Sequence, residues 1–282
     1  MAENRASGNE EGQAAATEES ATGTGEPIEP PAEASAGPRT EASAVTPAEA
    51  YAEGVPCWVD AQLADVEAGR RFYGDLFGWS FEEAHGTSVW ALLDGEPVAA
   101  LAPKTDGRMP TVWTVSFVTP DAAALSRRIT AAGGQLVIPP TPVGELGTAV
   151  LATDPEGAVF GLWQAGSHPG FGRRREVGTF VWAELYTRDT AAANAFYGDL
   201  FHDALFGEGA RPDFGRADVT DVYPPEMPPH FLTHFRVADL DEALGAVQRL
   251  GGRVQAPPFE TSYGHVAVVT DNQGASFALL RR

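Results

Sequence analysis

The chain is predicted to be α+β, with four β-α-β-β-β units forming two cupped mixed sheets behind a disordered N-terminal tail. Three observations predict this. The string Phe-Tyr-Gly-Asp-Leu-Phe occurs at Phe72–Phe77 and again at Phe196–Phe201, so one structural unit has been duplicated. Within each copy the apolar spacing switches from period two to the helical period and back, twice over. The composition also changes sharply near residue 53.

Residues 1–53 are mostly Ala, Glu, Ser, Thr, Gly and Pro, with Ile28 and Val45 the only sizeable aliphatics before Tyr51. They carry eleven Glu and two Arg, nearly half of the net charge of −20. Such a segment cannot bury enough apolar surface to offset its ordering entropy, so it is expected to be disordered. The rest divides into residues 54–166 (first copy), 167–177 (linker) and 178–282 (second copy).

In the first copy, Cys57–Leu63 reads as a strand and Asp65 as the N-cap of a helix Val66–Leu76 that ends at Gly78. Strands Trp79–Ala84, Ser88–Leu93 and Val98–Ala102 follow. The pattern restarts with strand Val112–Val118, a helix Ala122–Ala132 opened by Asp121, and strands Gln135–Ile138, Gly147–Thr153 and Val159–Gln164. The second copy repeats it: strand Phe180–Tyr186, helix Thr190–Phe201, further strands, strand His230–Val237, helix Asp241–Leu250, and strands Val254–Ala256, His265–Thr270 and Ser276–Leu280. A curved four-stranded sheet cannot cover its own concave face, and two such units together enclose a cup.

The repeat reaches beyond the hexapeptide. Trp58-Val59-Asp60 matches Trp182-Ala183-Glu184, and the terminal Asp154-Pro155-Glu156-Gly157-Ala158 matches Asp271-Asn272-Gln273-Gly274-Ala275. Through the helix Asp65–Trp79 and these terminal motifs, both copies resemble the vicinal oxygen chelate superfamily. That superfamily includes glyoxalase I, extradiol dioxygenases, and fosfomycin-resistance and bleomycin-sequestering proteins. The tandem arrangement is similar to the two-domain actinobacterial glyoxalase-like (hydroxylase-labelled) group.

The resemblance implies a divalent metal inside each cup, held by His, Gln or Glu side chains. The family's ligand positions fall on Trp58 and Trp182, near Trp113 and Leu232, on Gly161 and Ala278, and near Ala99–Leu101 and Asp218–Tyr223. Trp, Gly, Ala and Leu side chains do not bind metals, so neither a metal nor another cofactor is expected. A non-standard site of Glu184, His234 and His265 stays open.

Indole stands where the resemblance implies ligands. Trp58, Trp113, Trp163 and Trp182 are candidate walls for a planar ligand. Asp60 and Glu184 lie two residues along the same strand face and could meet a cationic group or accept a proton, and His234 joins this ligand-binding set. The competing reading is that the tryptophans fill a core and the acids sit at a solvated rim.

Other chemistry is not signalled. An acidic chain does not suit nucleic acid or anionic membranes, and no run of about 18 apolar residues occurs. No signal sequence is read at the N-terminus, and the lone Cys57 suggests packing in a cytoplasmic protein. Arg173-Arg174-Arg175 reads as solvated linker or as a contact for the acidic tail. Intrachain pairing of the two copies fits a monomer. Three functions stay open: a metal-independent protein that sequesters a hydrophobic or aromatic small molecule, a metal-dependent lyase or dioxygenase, and an interaction protein acting through its tail, where Thr22 and Thr24 lie among acids.

Overall fold

A computed structural model describes residues 51–107, 111–208, 210–219 and 227–282. Residues 1–50, with Thr22 and Thr24, lie outside them; Tyr51, read as part of the tail, donates Oη to the Phe171 carbonyl. In the first copy the order is β1 (Pro56–Leu63), α1 (Val66–Phe77), β2 (Ser80–Glu83), β3 (Val89–Leu93), β4 (Glu96–Pro103), β5 (Val112–Val118), α2 (Ala122–Ala131), β6 (Gln135–Val143), β7 (Gly147–Thr153) and β8 (Val159–Ala165). The second has β9 (Phe180–Thr187), α3 (Thr190–Leu200), α4 (His202–Phe206), β10 (Phe214–Asp218), β11 (His230–Arg236), α5 (Leu240–Arg249), β12 (Arg253–Thr261), β13 (Gly264–Thr270) and β14 (Ser276–Arg281).

Each copy forms one mixed sheet. The first has eight strands in the order β2-β3-β4-β1-β5-β8-β7-β6, and the second has six in the order β10-β9-β11-β14-β13-β12. The two units of each copy join where their opening strands pair antiparallel, β1 with β5 and β9 with β11. Among the described residues the third unit departs from the expected pattern, because it contributes β9 and β10 alone and adds α4. Strand β6 runs past Pro139 and Pro140 to Val143, with register shifts at Leu136/Ile138 and Ile138/Thr141. Proline is tolerated there because β6 is an edge strand and the shifts remove the need for a donor.

Aspartate starts the helices. Asp65, Asp121, Asp189 and Asp239 each accept a hydrogen bond from a first-turn backbone N–H, and each leaves one fewer orphan donor. Gly78 ends α1 in the left-handed region at φ 75°.

The helical faces of the two sheets share one aromatic core. Phe72, Tyr73 and Phe77 of α1 meet Phe235 and Phe277 of the second copy, while Phe196 and Tyr197 of α3 meet Phe160 of the first. The duplicated motifs are joined crosswise. Tyr73 Oη donates to Asp271 Oδ2 at 2.9 Å, and Tyr197 Oη donates to Asp154 Oδ2 at 3.1 Å. The second oxygen of each aspartate accepts two backbone N–H groups of its own turn, from Gln273 and Ala275 or from Glu156 and Ala158. The repeated Phe-Tyr and Asp-x-x-Gly-Ala motifs therefore fasten one copy to the other rather than build a site.

The arginine run also binds within the fold. Arg174 and Arg175 both pair with the buried Asp213, and Arg173 with Asp94 and Glu176. The expectation of a merely solvated run is corrected: the run clamps β10 to the chain that leads into β9. Among the described residues, no helix is long and apolar enough to cross a membrane.

Candidate functional site

Strand registers fix which side chains face each cup. In the first, Trp58 lies opposite Ser116, Asp60 opposite Thr114 on one side and Ala100 on the other, and Ser116 opposite Gly161. Trp90 lies opposite Ala100 on β3. These residues share one face, and of them Trp58, Asp60, Trp90, Ala100 and Ser116, with Gln62, Trp163, His85 and His168, line a cavity of about 290 Å3.

Its wall is aromatic. His168 stacks on Trp90 at 5.0 Å and meets Trp58 edge-on at 4.5 Å. Trp163 Nε1 donates to the His168 carbonyl at 2.8 Å. Burial pushes the His168 imidazole down to about 4, so it is neutral at pH 7, and its Nε2 has no hydrogen-bond partner. His168 lies in the stretch read as linker and was not among the predicted site residues. That stretch is tied down where Phe171 N donates to Cys57 O at 2.8 Å and His168 N donates to Leu146 O at 3.1 Å.

Asp60 lies on the cup face, and its Oδ2 accepts from Gln62 Nε2 at 3.1 Å. Burial pushes its carboxyl up to about 6, against the pull of the Gln62 amide. A carboxyl raised above its unfolded value contributes stability that is complete below about pH 4 and lost as pH rises through about 6. Asp60→Asn is therefore expected to stabilise the chain at pH 8 by about 1 kcal/mol, allowing for the water-facing edge of the side chain. No gain is expected below pH 4, and Tm measured against pH checks both ends.

In the second cup Glu184, Leu232 and His234 are buried and Trp182 is half-buried. Its registers repeat the first: Trp182 lies opposite His234, Glu184 opposite Leu232, and His234 opposite Ala278. Bulk has been added at matching positions. Val266 stands for Ala149, Ala278 for Gly161, Leu232 for Thr114 and Tyr186 for Gln62, and these four belong to a separate buried cluster. Tyr263, before the glycine that opens β13, stands where Leu146 precedes β7. Glu184 Oε2 accepts from Trp182 Nε1 at 2.7 Å and from Tyr263 Oη at 3.1 Å. Burial raises the Glu184 carboxyl, and these two donors oppose the rise. His234 is fully buried and held neutral, its imidazole pushed down to about 4 by burial.

The predicted residues thus separate. Trp58, Asp60 and Trp163 line the first cup, while Trp182, Glu184 and His234 lie in the second. Trp113 does not face a cup. It lies opposite Ala61 on the helical side, stacks edge-on against Tyr73 at 5.2 Å and donates Nε1 to Tyr73 Oη at 3.0 Å. The expected position was displaced by one residue, and a displacement of one reverses the face; Thr114 and Ser116 are the cup-facing residues of β5. An edge of Trp113 instead borders an apolar crevice of about 290 Å3 with Val159 and Phe231.

A divalent metal does not fit the residues present. The row expected to hold one reads Trp58, Ser116, Gly161 and Ala100 in the first copy. A Cβ at Gly161 would run into the Ser116 hydroxyl, so no longer side chain fits there. The structure does not bring Glu184, His234 and His265 together. His265 is exposed on β13, next to the cup-facing Val266, so it lies on the opposite face. Among the described residues no group of three or more His, Cys, Asp or Glu could hold a metal ion. The remaining position in the second copy, Asp218–Tyr223, falls largely outside the described residues.

Fold and site together define a tandem-repeat cup protein with an indole-walled cavity in its first copy. The chain belongs to the Glyoxalase/Bleomycin resistance protein/Dioxygenase superfamily, whose family model matches residues 58–162. It is 36% identical over 250 residues to "Putative glyoxylase CFP32" of Mycobacterium tuberculosis, covering 82% of this chain and 96% of the relative. It is 34% identical over 265 residues to "Anthracycline biosynthesis protein DauV" of Streptomyces sp. (strain C5), covering 82% and 94%. Among solved structures it resembles the Mn(II)-bound glyoxalase from Novosphingobium aromaticivorans, with a TM-score of 0.57 and 13% identity over 82% of each chain. It also resembles the 2,3-dioxygenase LapB from Pseudomonas sp. KL28, with a TM-score of 0.58 and 14% identity over 83% of this chain and 93% of that one. At such identities these structures speak to fold alone.

Proposed function

We propose that this chain binds a planar aromatic small molecule in its first cup without using a metal, in a sequestering or accessory role. One observation carries the reading: Trp58, Trp90 and Trp163 converge with the neutral His168 around one cavity. Indole offers a broad apolar face at a modest cost in conformational entropy. At about 290 Å3 the cavity lies at the lower end of the range for small-molecule sites, ~300–1,000 Å3. One fused-ring system enters, and larger substituents stay at the mouth. The name of the relative from Streptomyces sp., which refers to anthracycline biosynthesis, supports an aromatic polycycle as a sensible probe.

The test is titration with 1,4-dihydroxyanthraquinone, followed by quenching of tryptophan fluorescence. Saturable quenching at one probe per chain is expected. Trp58→Ala should weaken binding by about 10- to 100-fold through lost stacking and lost apolar contact. Trp90→Ala, at a less buried position, should do the same and guards against a folding defect in the first variant. Quenching that never saturates, or that ignores both substitutions, would defeat the reading.

A further inference from the structure

We propose that the ligand of the first cup carries a protonated amine, and that this amine pairs with the Asp60 carboxylate while the ring system lies among the indoles. The inference rests on the aromatic-ligand reading above and narrows it to a class of compound.

Charge in the cavity argues for it. Among the described residues, Asp60 is the only acidic residue lining the cavity, and neither Lys nor Arg lines it. The other titratable groups there are His85 and His168. From the flanking strands, Asp60 is faced by Ala100 of β4 and Thr114 of β5, and neither supplies a countercharge. The buried His168 stays neutral at pH 7. An anionic ligand would meet repulsion, whereas a cationic one would meet a carboxylate and three indole faces, a combination that suits ammonium groups.

Comparison of the two copies shows what Asp60 lacks. Its counterpart Glu184 is satisfied internally by Trp182 Nε1 and Tyr263 Oη. The extra methylene lets glutamate turn back onto the indole N–H of its own strand. Aspartate is shorter, and where the second copy has Tyr263 the first has Leu146, which brings no donor. Asp60 keeps a single side-chain donor, from Gln62, although a carboxylate has about four acceptor sites. The remaining sites open onto the cavity. Of the exchanges that add bulk to the second cup, Tyr263 alone supplies its carboxylate with a donor, and Leu146 in its place leaves Asp60 able to accept from an external one.

Two anthraquinones with the same ring system test this, one bearing a 2-(dimethylamino)ethyl side chain and the other the uncharged 3-methylbutyl side chain. At pH 8 the amine should bind at least tenfold more tightly. That preference should fade as pH falls through about 6, where the carboxyl takes up a proton. Asp60→Asn, nearly isosteric, should bring the two affinities to within about threefold of each other. Equal affinities for the wild-type chain, or a preference that survives Asp60→Asn, would overturn the charge inference and leave the aromatic reading standing. Failure of both probes to bind would remove both.

Discussion

Asp271→Ala is expected to destabilise the chain by at least about 3 kcal/mol, and Asp154→Ala by a similar amount. Each aspartate is almost wholly buried and accepts three hydrogen bonds, one from the tyrosine of the other copy and two from backbone N–H groups of its own turn. Hydrogen bonds to charged groups contribute about 1.5–3 kcal/mol each, and the buried donors left behind add a desolvation cost. At Asp271 the damage extends further, because Tyr73 Oη also accepts from Trp113 Nε1. Urea denaturation measures the loss. Tyr73→Phe alone should cost less, about 1–2 kcal/mol, since the turn keeps its backbone bonds. The double variant Tyr73→Phe/Asp271→Ala should fall short of the sum of the two, because both changes remove the same contact. A loss under about 1 kcal/mol for Asp271→Ala would show that the crosswise bonds do not hold the copies together.

Gly170→Ala is expected to cost about 3 kcal/mol and to weaken probe binding in the first cup. Gly170 has φ 122°, and a Cβ there would run into the carbonyl oxygen of Cys57 on β1. Backbone strain of this kind costs about 1–3 kcal/mol, and forced overlap adds about 1–3 kcal/mol. The next residue, Phe171, donates its N–H to that same carbonyl and stacks on Phe180 at 5.0 Å. Two residues earlier is His168, a wall of the cavity. Pushing the segment off β1 therefore disturbs both the join to the second copy and the aromatic wall. A Tm lower by about 6–12 °C is expected, together with weaker quenching by the anthraquinone probe. A wild-type Tm would show that the segment does not depend on its contact with β1.

Several site residues could be read along the chain and others could not. Trp58 and Asp60 were accessible because they sit on a duplicated strand at a constant distance from a duplicated helix. Trp113 was misplaced although β5 carried the answer: Trp113, Val115 and Phe117 alternate with the polar Thr114 and Ser116, a period-two pattern with the polar set facing the cup. Alignment to a family ligand position obscured that local signal. Trp90 lies on a strand that was predicted, but its face depends on pairing with Ala100 of β4. His168 left no mark in its neighbours, since its partners Trp58 and Trp90 lie far away in the chain. The Asp213 clamp on Arg174 and Arg175 was hidden for the same reason.

What could be known from residue order was whatever neighbouring residues record. Aspartate before α1, α2, α3 and α5, glycine after α1, alternation along the strands and the repeated hexapeptide all act within a few residues, and together they specify the units and their duplication. Folding in three dimensions decided what lines each cup. A cavity is the space left between strands distant in the chain, and its size turns on small differences: Ala149 against Val266, Gly161 against Ala278, Leu146 against Tyr263. Each exchange looks conservative in isolation. Only when the strands pair do the added methyl groups and the tyrosine ring converge on one side, where Tyr263 gives Glu184 a donor that Asp60 lacks.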